Sequence, residues 1–284
     1  MPKAHLFPLL LFTTLLACSQ GVKKKELPVL PDGFDVKHIE KLKLTEDLDE
    51  ISGIRYDPAG PRIVAENDEE GRLYTVDPTN GKITGHISFH DGGDFEDLTW
   101  DGRYWYVMRS NGNLFRISGA FTDSLGKEQF KLHLPGYNNF EALFFEPSDK
   151  KAYLICKQCD ADSGRIISVY AFNTETATFD SGSVARMTPD RSLLPAGTDP
   201  AEVIKPSAAA VHPVTGELYI LCSVNRLLIV ADRNWTWKKV YPLDKEWFKQ
   251  PEGMSFAPNG DLYVSNEARS GTPNILHIPW TGLK

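Results

Sequence analysis

Short runs of alternating apolar and polar residues fill the chain from residue 36 onward, separated by clusters of Asp, Asn, Pro and Gly. A period of two puts successive side chains on opposite faces of an extended backbone, so each run predicts a strand with one face buried. No long stretch holds a period near 3.6, and helices are not expected. The plainest unit runs from Gln250 to Val264. A strand opens with Pro251-Glu252-Gly253-Met254, turns at Pro258-Asn259-Gly260, and a second strand follows. Four earlier stretches repeat that opening: Glu50-Ile51-Ser52-Gly53-Ile54, Phe95-Glu96-Asp97-Leu98, Phe140-Glu141-Ala142-Leu143 and Lys205-Pro206-Ser207-Ala208. Ser207 stands where the others carry Glu.

Glu50, Glu96 and Glu141 are 46 and 45 residues apart, Ser207 and Glu252 another 45, and only the step from Glu141 to Ser207 is longer, at 66. A period in the forties with several short strands per unit is the signature of a propeller blade. The first unit offers strands at 51–56, 62–66, 72–76 and 83–89; the second adds 104–109, 114–117 and 130–134. The extra residues of the third unit lie mostly between Phe179 and Ile204 and are rich in Ser, Thr, Pro and Asp. They read as an excursion loop, with a sixth blade as the alternative. The last unit has three strands, and an open edge is a pairing liability. The alternating stretch 36–44 is expected to supply the missing outer strand and close the ring. The fold class predicted is an all-β, five-bladed β-propeller of four-stranded antiparallel blades.

The first 33 residues stand apart. Residues 1–17 read as a signal peptide whose apolar run, Leu6 to Leu16, is too short to span a bilayer. It ends in Leu15-Leu16-Ala17-Cys18, which resembles a bacterial lipobox and implies lipidation (palmitate included) at Cys18. Each buried acyl CH₂ contributes about 0.8 kcal/mol to anchoring. Ser19, rather than Asp, after the Cys implies the outer membrane of the cell envelope over the inner one. Residues 18–33 read as the lipidated Cys and a polar tether, and 34–284 as the propeller domain. The net charge of -7 argues against nucleic-acid binding, which needs basic surface. A monomer is expected. Cys156-Lys157-Gln158-Cys159 has redox-motif spacing but follows a strand and lacks the βαβ context of a thioredoxin-like site, so a structural pair or free buried thiols are expected; Cys222 is left over.

In a propeller the first strand of each blade lines the channel and the second runs antiparallel beside it. The start of one strand and the end of the next therefore meet at one mouth. This gathers Glu50 with Glu66, Asn67 and Asp68; Glu96 with Arg109; Glu141 with Lys157; and Glu252 with Asn266 and Glu267. Hard oxygen donors of this kind suit Ca²⁺ better than Zn²⁺. The candidate metal ligands are Glu50, Asn67, Glu252 and Asn266, with Ca²⁺ as candidate cofactor. Glu96, Glu141, Arg109, Lys157 and Glu267 are candidate ligand-binding residues for a small anionic ligand or an envelope partner. The alternative is a structural ring, each Glu fixing blade geometry by backbone hydrogen bonds. There is no Gly-x-Ser-x-Gly elbow, no phosphate-binding Gly loop and no His-Glu-x-x-His run.

The five strand openings together resemble the SdiA-regulated (YjiK/CarP-like) β-propeller family over about residues 34 to 282. The resemblance implies the fold, an envelope location and calcium-related roles. Calcium-dependent propeller relatives hydrolyse esters, lactones or phosphates with a metal at the channel mouth. Three functions follow as expectations: an envelope-anchored ligand-binding propeller, a Ca²⁺-dependent hydrolase of anionic esters, lactones or phosphoesters, and a scaffold with a structural Glu ring. Ser207 departs from the Glu pattern, and no histidine stands beside the Glu positions for a lactonase-like proton shuttle.

Overall fold

The computed structural model of the chain describes Met1 and residues 26–283, apart from 163–164, 200 and 269–270. The expected signal peptide and lipidation site at Cys18 lie outside the described residues. The rest is a five-bladed β-propeller. An N-terminal strand, β1 (Glu40–Lys43), precedes the first blade, which comprises β2 (Ile51–Asp57), β3 (Arg62–Asn67), β4 (Arg72–Val76) and β5 (Ile83–Ser88). The second blade is β6 (Phe95–Trp100), β7 (Trp105–Arg109), β8 (Leu114–Ser118) and β9 (Gly126–Phe130). The third is β10 (Asn138–Glu146), β11 (Lys151–Cys159), β12 (Ile167–Asn173), β13 (Thr178–Phe179) and β14 (Ala185–Met187). The fourth is β15 (Ala208–Val211), β16 (Leu218–Cys222), β17 (Leu227–Ala231) and β18 (Trp237–Pro242). The fifth is β19 (Pro251–Phe256), β20 (Leu262–Asn266) and β21 (Asn274–Ile278), completed on its outer edge by β1, which pairs antiparallel with β21. The ring thus closes through the strand that the alternation at 36–44 predicts.

Two expectations need correction. The outer strand of blade two is Gly126–Phe130, not 130–134. Lys127, Glu128 and Gln129 are solvent-facing and show no apolar alternation, whereas Leu132 and Leu134 alternate because they pack against the core as the chain crosses to blade three. The tether is not free along its whole length either: from Glu26 the chain lies against the propeller, and Leu30 is buried. The long third unit does not hide a blade. Its outer strand is split, with β13 pairing one end of β12 and β14 the other.

The core is divided among the blade interfaces. Each of five apolar clusters draws its buried residues mainly from two neighbouring blades, as where Val64 and Leu73 of blade one meet Phe95, Leu98 and Val107 of blade two. Polar ties reinforce the seams near the channel. Asp97 Oδ2 in blade two accepts the Leu143 N–H of blade three at 2.6 Å, and Ser255 Oγ of blade five accepts the Tyr56 N–H of blade one at 2.8 Å. Buried side-chain acceptors of this kind satisfy backbone groups that no strand pairs.

Candidate functional site at the channel mouth

The first strand of four blades slips register as it starts. The slips lie between Ile51 and Ile54, Phe95 and Asp97, Phe140 and Ala142, and Pro251 and Met254. A bulge of this kind re-aims the side chain of the extra residue. In three blades the bulge contains Glu96, Glu141 or Glu252. In blade one it contains Ser52 and Gly53: Ile51 pairs Asn67 as Pro251 pairs Asn266. Glu50 is therefore not the counterpart of the other three. The repeated position reads Ser52, Glu96, Glu141, Ser207, Glu252, while Glu50 reaches the mouth from the link before β2. The residue that follows the partner of each pre-bulge residue forms another ring, Asp68, Ser110, Lys157 and Glu267, with Ser223 just past β16 in the matching place of blade four.

The mouth is polarised. On one side, single carboxylate oxygens of Glu50, Asp68 and Glu267 all lie within 4.8 Å of one another. Asp68 Oδ1 and Glu267 Oε2 are buried there without a hydrogen-bond partner. Burial, reinforced by Glu50, raises Asp68 to about 6; burial and the Glu50, Glu252 and Asp68 carboxylates raise Glu267 to about 8. Below them Glu66 is fully buried. Its Oε1 accepts the Gly53 N–H at 2.8 Å, its Oε2 has no partner, and desolvation lifts it to about 8. On the other side Lys157 pairs with Glu141. Burial works against the Lys157 charge, but Glu141, Glu252 and Glu96 outweigh it and hold the ammonium above its ordinary range. Glu96 is raised to about 10, first by desolvation and then by Glu141, Asp94 and Glu66. Ser223 Oγ donates to Glu252 Oε1 at 3.1 Å between the two sides.

Three sequence candidates do not join the group. Asn67 donates from Nδ2 to the Asp47 carbonyl and accepts the Glu70 N–H on Oδ1, so its amide is spent on loop backbone. Asn266 is fully buried and donates to the Trp247 carbonyl and to Asn274 Oδ1. Arg109 lies over the Phe95 ring, 5.6 Å from its centroid. All three pair with the residue before the bulge and are turned away by strand alternation; the next residue along faces the mouth. Glu50, Glu252, Glu96, Glu141, Lys157 and Glu267 do converge there. Asp68 and Glu66 are the residues that the candidate set lacked, and the signal for them is parity: an acid one step beyond, or one step before, the last paired residue. Cys156 and Cys159 form a disulfide that brackets Lys157, so those thiols offer no metal site with Asp162.

The donor set fits a hard cation. Oxygens around Ca²⁺ sit about 2.3–2.6 Å from the ion, so ligands of one ion lie within about 5 Å of each other. Three carboxylates meet that limit; Asp68 Oδ1 and Glu267 Oε2 have no hydrogen-bond partner, while the protonated Glu267 carboxyl is hydrogen-bonded to Glu50.

Several solved structures share the fold. The glutaminyl cyclase of Myxococcus xanthus matches with a TM-score of 0.57 at 12% identity, over 86% of this chain and 96% of that one. A luciferin-regenerating enzyme matches with a TM-score of 0.51 at 12% identity, over 87% and 97%. The WD40 repeats of RRP9 match with a TM-score of 0.53 at 10% identity, over 90% and 99%. At such identities the likeness is one of fold. No curated protein matches the sequence. The profile of the SdiA-regulated family matches residues 30–275, nearly the whole propeller, and the chain belongs to the SdiA-regulated family.

Proposed function

We propose that the protein is an envelope-anchored binding propeller that holds a Ca²⁺ ion at its channel mouth through Glu50, Asp68 and Glu267. The ion and Lys157 then present positive charge to an anionic ligand. The observation that carries this reading is the convergence of three carboxylates within 4.8 Å while Asp68 and Glu267 each keep a buried oxygen unpartnered. Acids gathered so closely in a poorly solvated space must take up protons or a cation. A purely structural ring would instead satisfy its oxygens with backbone N–H groups, as Asp97 does with Leu98 and Leu143. Isothermal titration of the protein with Ca²⁺ tests the reading. A saturable heat is expected, with affinity reduced at least about tenfold in Glu267→Gln, since charge count sets Ca²⁺ affinity. Absence of heat in the parent protein removes the metal.

One observation favours a hydrolytic reading in second place. Glu96, raised to about 10, keeps its proton at neutral pH beside the Glu141–Lys157 pair, which supports a role as proton donor to a leaving group. In that case the bound ion would polarise an ester, lactone or phosphoester. Turnover with Ca²⁺, abolished by EDTA, is the outcome that would move this reading ahead of simple binding.

A further inference from the structure

At the end of the propeller opposite the mouth, blades three and four border an open cleft of about 370 Å³, within the range of small-molecule sites of about 300–1,000 Å³. Three aromatic rings form one wall. Phe144 and Tyr153 are stacked with centroids 5.4 Å apart, and Trp235 meets Tyr153 at 5.4 Å and 65° and Phe144 at 6.0 Å and 53°. The polar rim is already ordered. Glu146 pairs with Arg233, whose guanidinium lies 5.6 Å from the Phe144 centroid, and Asp149 accepts the Tyr153 hydroxyl.

The placement of Trp235 is the unusual feature. It is a bulky residue at φ +67, in the left-handed region that glycine fills without cost. Three contacts to Asp232 fix the turn. Asp232 Oδ1 accepts the N–H groups of Asn234 and Thr236 at 2.8 and 3.0 Å, and its carbonyl accepts the Trp235 N–H at 3.1 Å. The strain leaves the indole half-exposed at the cavity, where a glycine would have closed the turn with no ring at all.

We propose that this cavity is a saccharide-binding site that takes one pyranose ring. A pyranose has an apolar C–H face and a rim of hydroxyls that both donate and accept. The first matches an aromatic wall, and the second matches neighbouring carboxylates and a guanidinium. Arg233 pairs with Glu146 and covers the buried Phe144, so the open part of the wall is Tyr153 and Trp235, and Asp149, held by the Tyr153 hydroxyl, is the carboxylate left to accept from a sugar hydroxyl. The site is independent of the mouth: Glu141 and Glu146 sit toward opposite ends of β10, roughly 17 Å apart at strand rise.

The test is saturation-transfer NMR and intrinsic tryptophan fluorescence on the full chain, with glucose, galactose, N-acetylglucosamine and cellobiose as probes and choline as the cationic control. We expect at least one sugar to bind with a Kd on the order of 1 mM. Trp235→Gly removes the ring while relieving the turn, so the fold is kept; it should weaken binding by roughly tenfold or more, about 1.4 kcal/mol. Glu267→Gln, at the mouth, should leave sugar binding unchanged. No binding by any sugar, binding of choline alone, or undiminished binding in a folded Trp235→Gly variant would each overturn the proposal.

Discussion

Glu96 is the residue whose chemistry depends most on where the fold puts it. In an unfolded chain it is an ordinary carboxylic acid near 4.5, and in the folded mouth it is raised to about 10. The folded state therefore keeps a proton that the unfolded state releases once the pH passes about 4.5. Stability tied to this group is complete below that pH and is lost as the pH climbs toward 10, by up to about 1.4 kcal/mol per pH unit. Glu96→Gln mimics the protonated acid. It should match the parent in thermal stability at pH 5 and exceed it at pH 9, as differential scanning calorimetry would show; an unchanged slope of Tm against pH in the variant would clear Glu96 of the effect. The residue itself is legible in the sequence as one of a repeated set. Its environment is not, because both the burial that desolvates it and the repulsion from Glu141 and Glu66 come from distant stretches that only the fold brings beside it. The same limit explains Glu50. Counting residues aligns it with the other Glu positions, but only the paired register shows that Ser52 occupies the repeated place.

At the level of elements, the strand starts are where this fold is tightest. A Cβ on Gly253 would stand 2.3 Å from the Ser52 carbonyl oxygen, 2.6 Å from Ser265 Oγ and 2.9 Å from the Ile54 nitrogen. Two of these are backbone atoms of the neighbouring blade. Ser265 Oγ also joins the seam, accepting from Gly253 N at 2.7 Å and donating to the Ser52 carbonyl at 2.9 Å. Gly253→Ala should therefore cost about 2–4 kcal/mol in denaturant unfolding, by forcing blades five and one apart. Gly60→Ala is the control, since a Cβ there meets nothing within 4 Å; it should stay within about 0.5 kcal/mol of the parent. Equal effects at both sites would mean that the seam does not limit stability. Alternation reads a strand well where one face is buried, as in β5, while β2 to β4 are buried on both faces and are marked instead by the turn residues between them. It fails for β9, whose side chains face solvent and whose place is set by pairing with β8 alone. The bulges leave no mark in apolar periodicity, so the turn of Asn67, Arg109 and Asn266 away from the mouth could not be read before the ladders were known.

For the whole molecule, the path of the N-terminal segment decides which way the propeller would face a membrane. Among the described residues no helix is long and apolar enough to cross one; the attachment we propose is the lipidation that the lipobox resemblance implies at Cys18. Phe34 packs edge-on against Trp280 at 4.9 Å and bridges it, at the end of the propeller away from the mouth. From there the segment can be followed back along the seam of blades four and five, with Leu30 buried beside Leu243 and Phe248. At Glu26 its carbonyl accepts the Trp247 indole N–H at 2.8 Å, while the Trp247 carbonyl accepts from Asn266 at the mouth end of β20. The chain thus leaves the propeller beside the mouth. The eight Cα-to-Cα steps from Glu26 to Cys18 reach at most about 28 Å, less than is needed to pass comfortably back around a domain this size. An acylated protein would consequently hold its mouth toward the lipid surface and its saccharide cavity away from it. Energy transfer to an acceptor in the bilayer reads this directly, using a fluorophore on Asn111→Cys at the mouth and on Asn259→Cys in the opposite turn. Transfer should be markedly stronger from position 111. Equal transfer, or stronger transfer from 259, would show that the anchor does not orient the mouth, and a ligand would then reach the Glu50–Asp68–Glu267 group from open solvent.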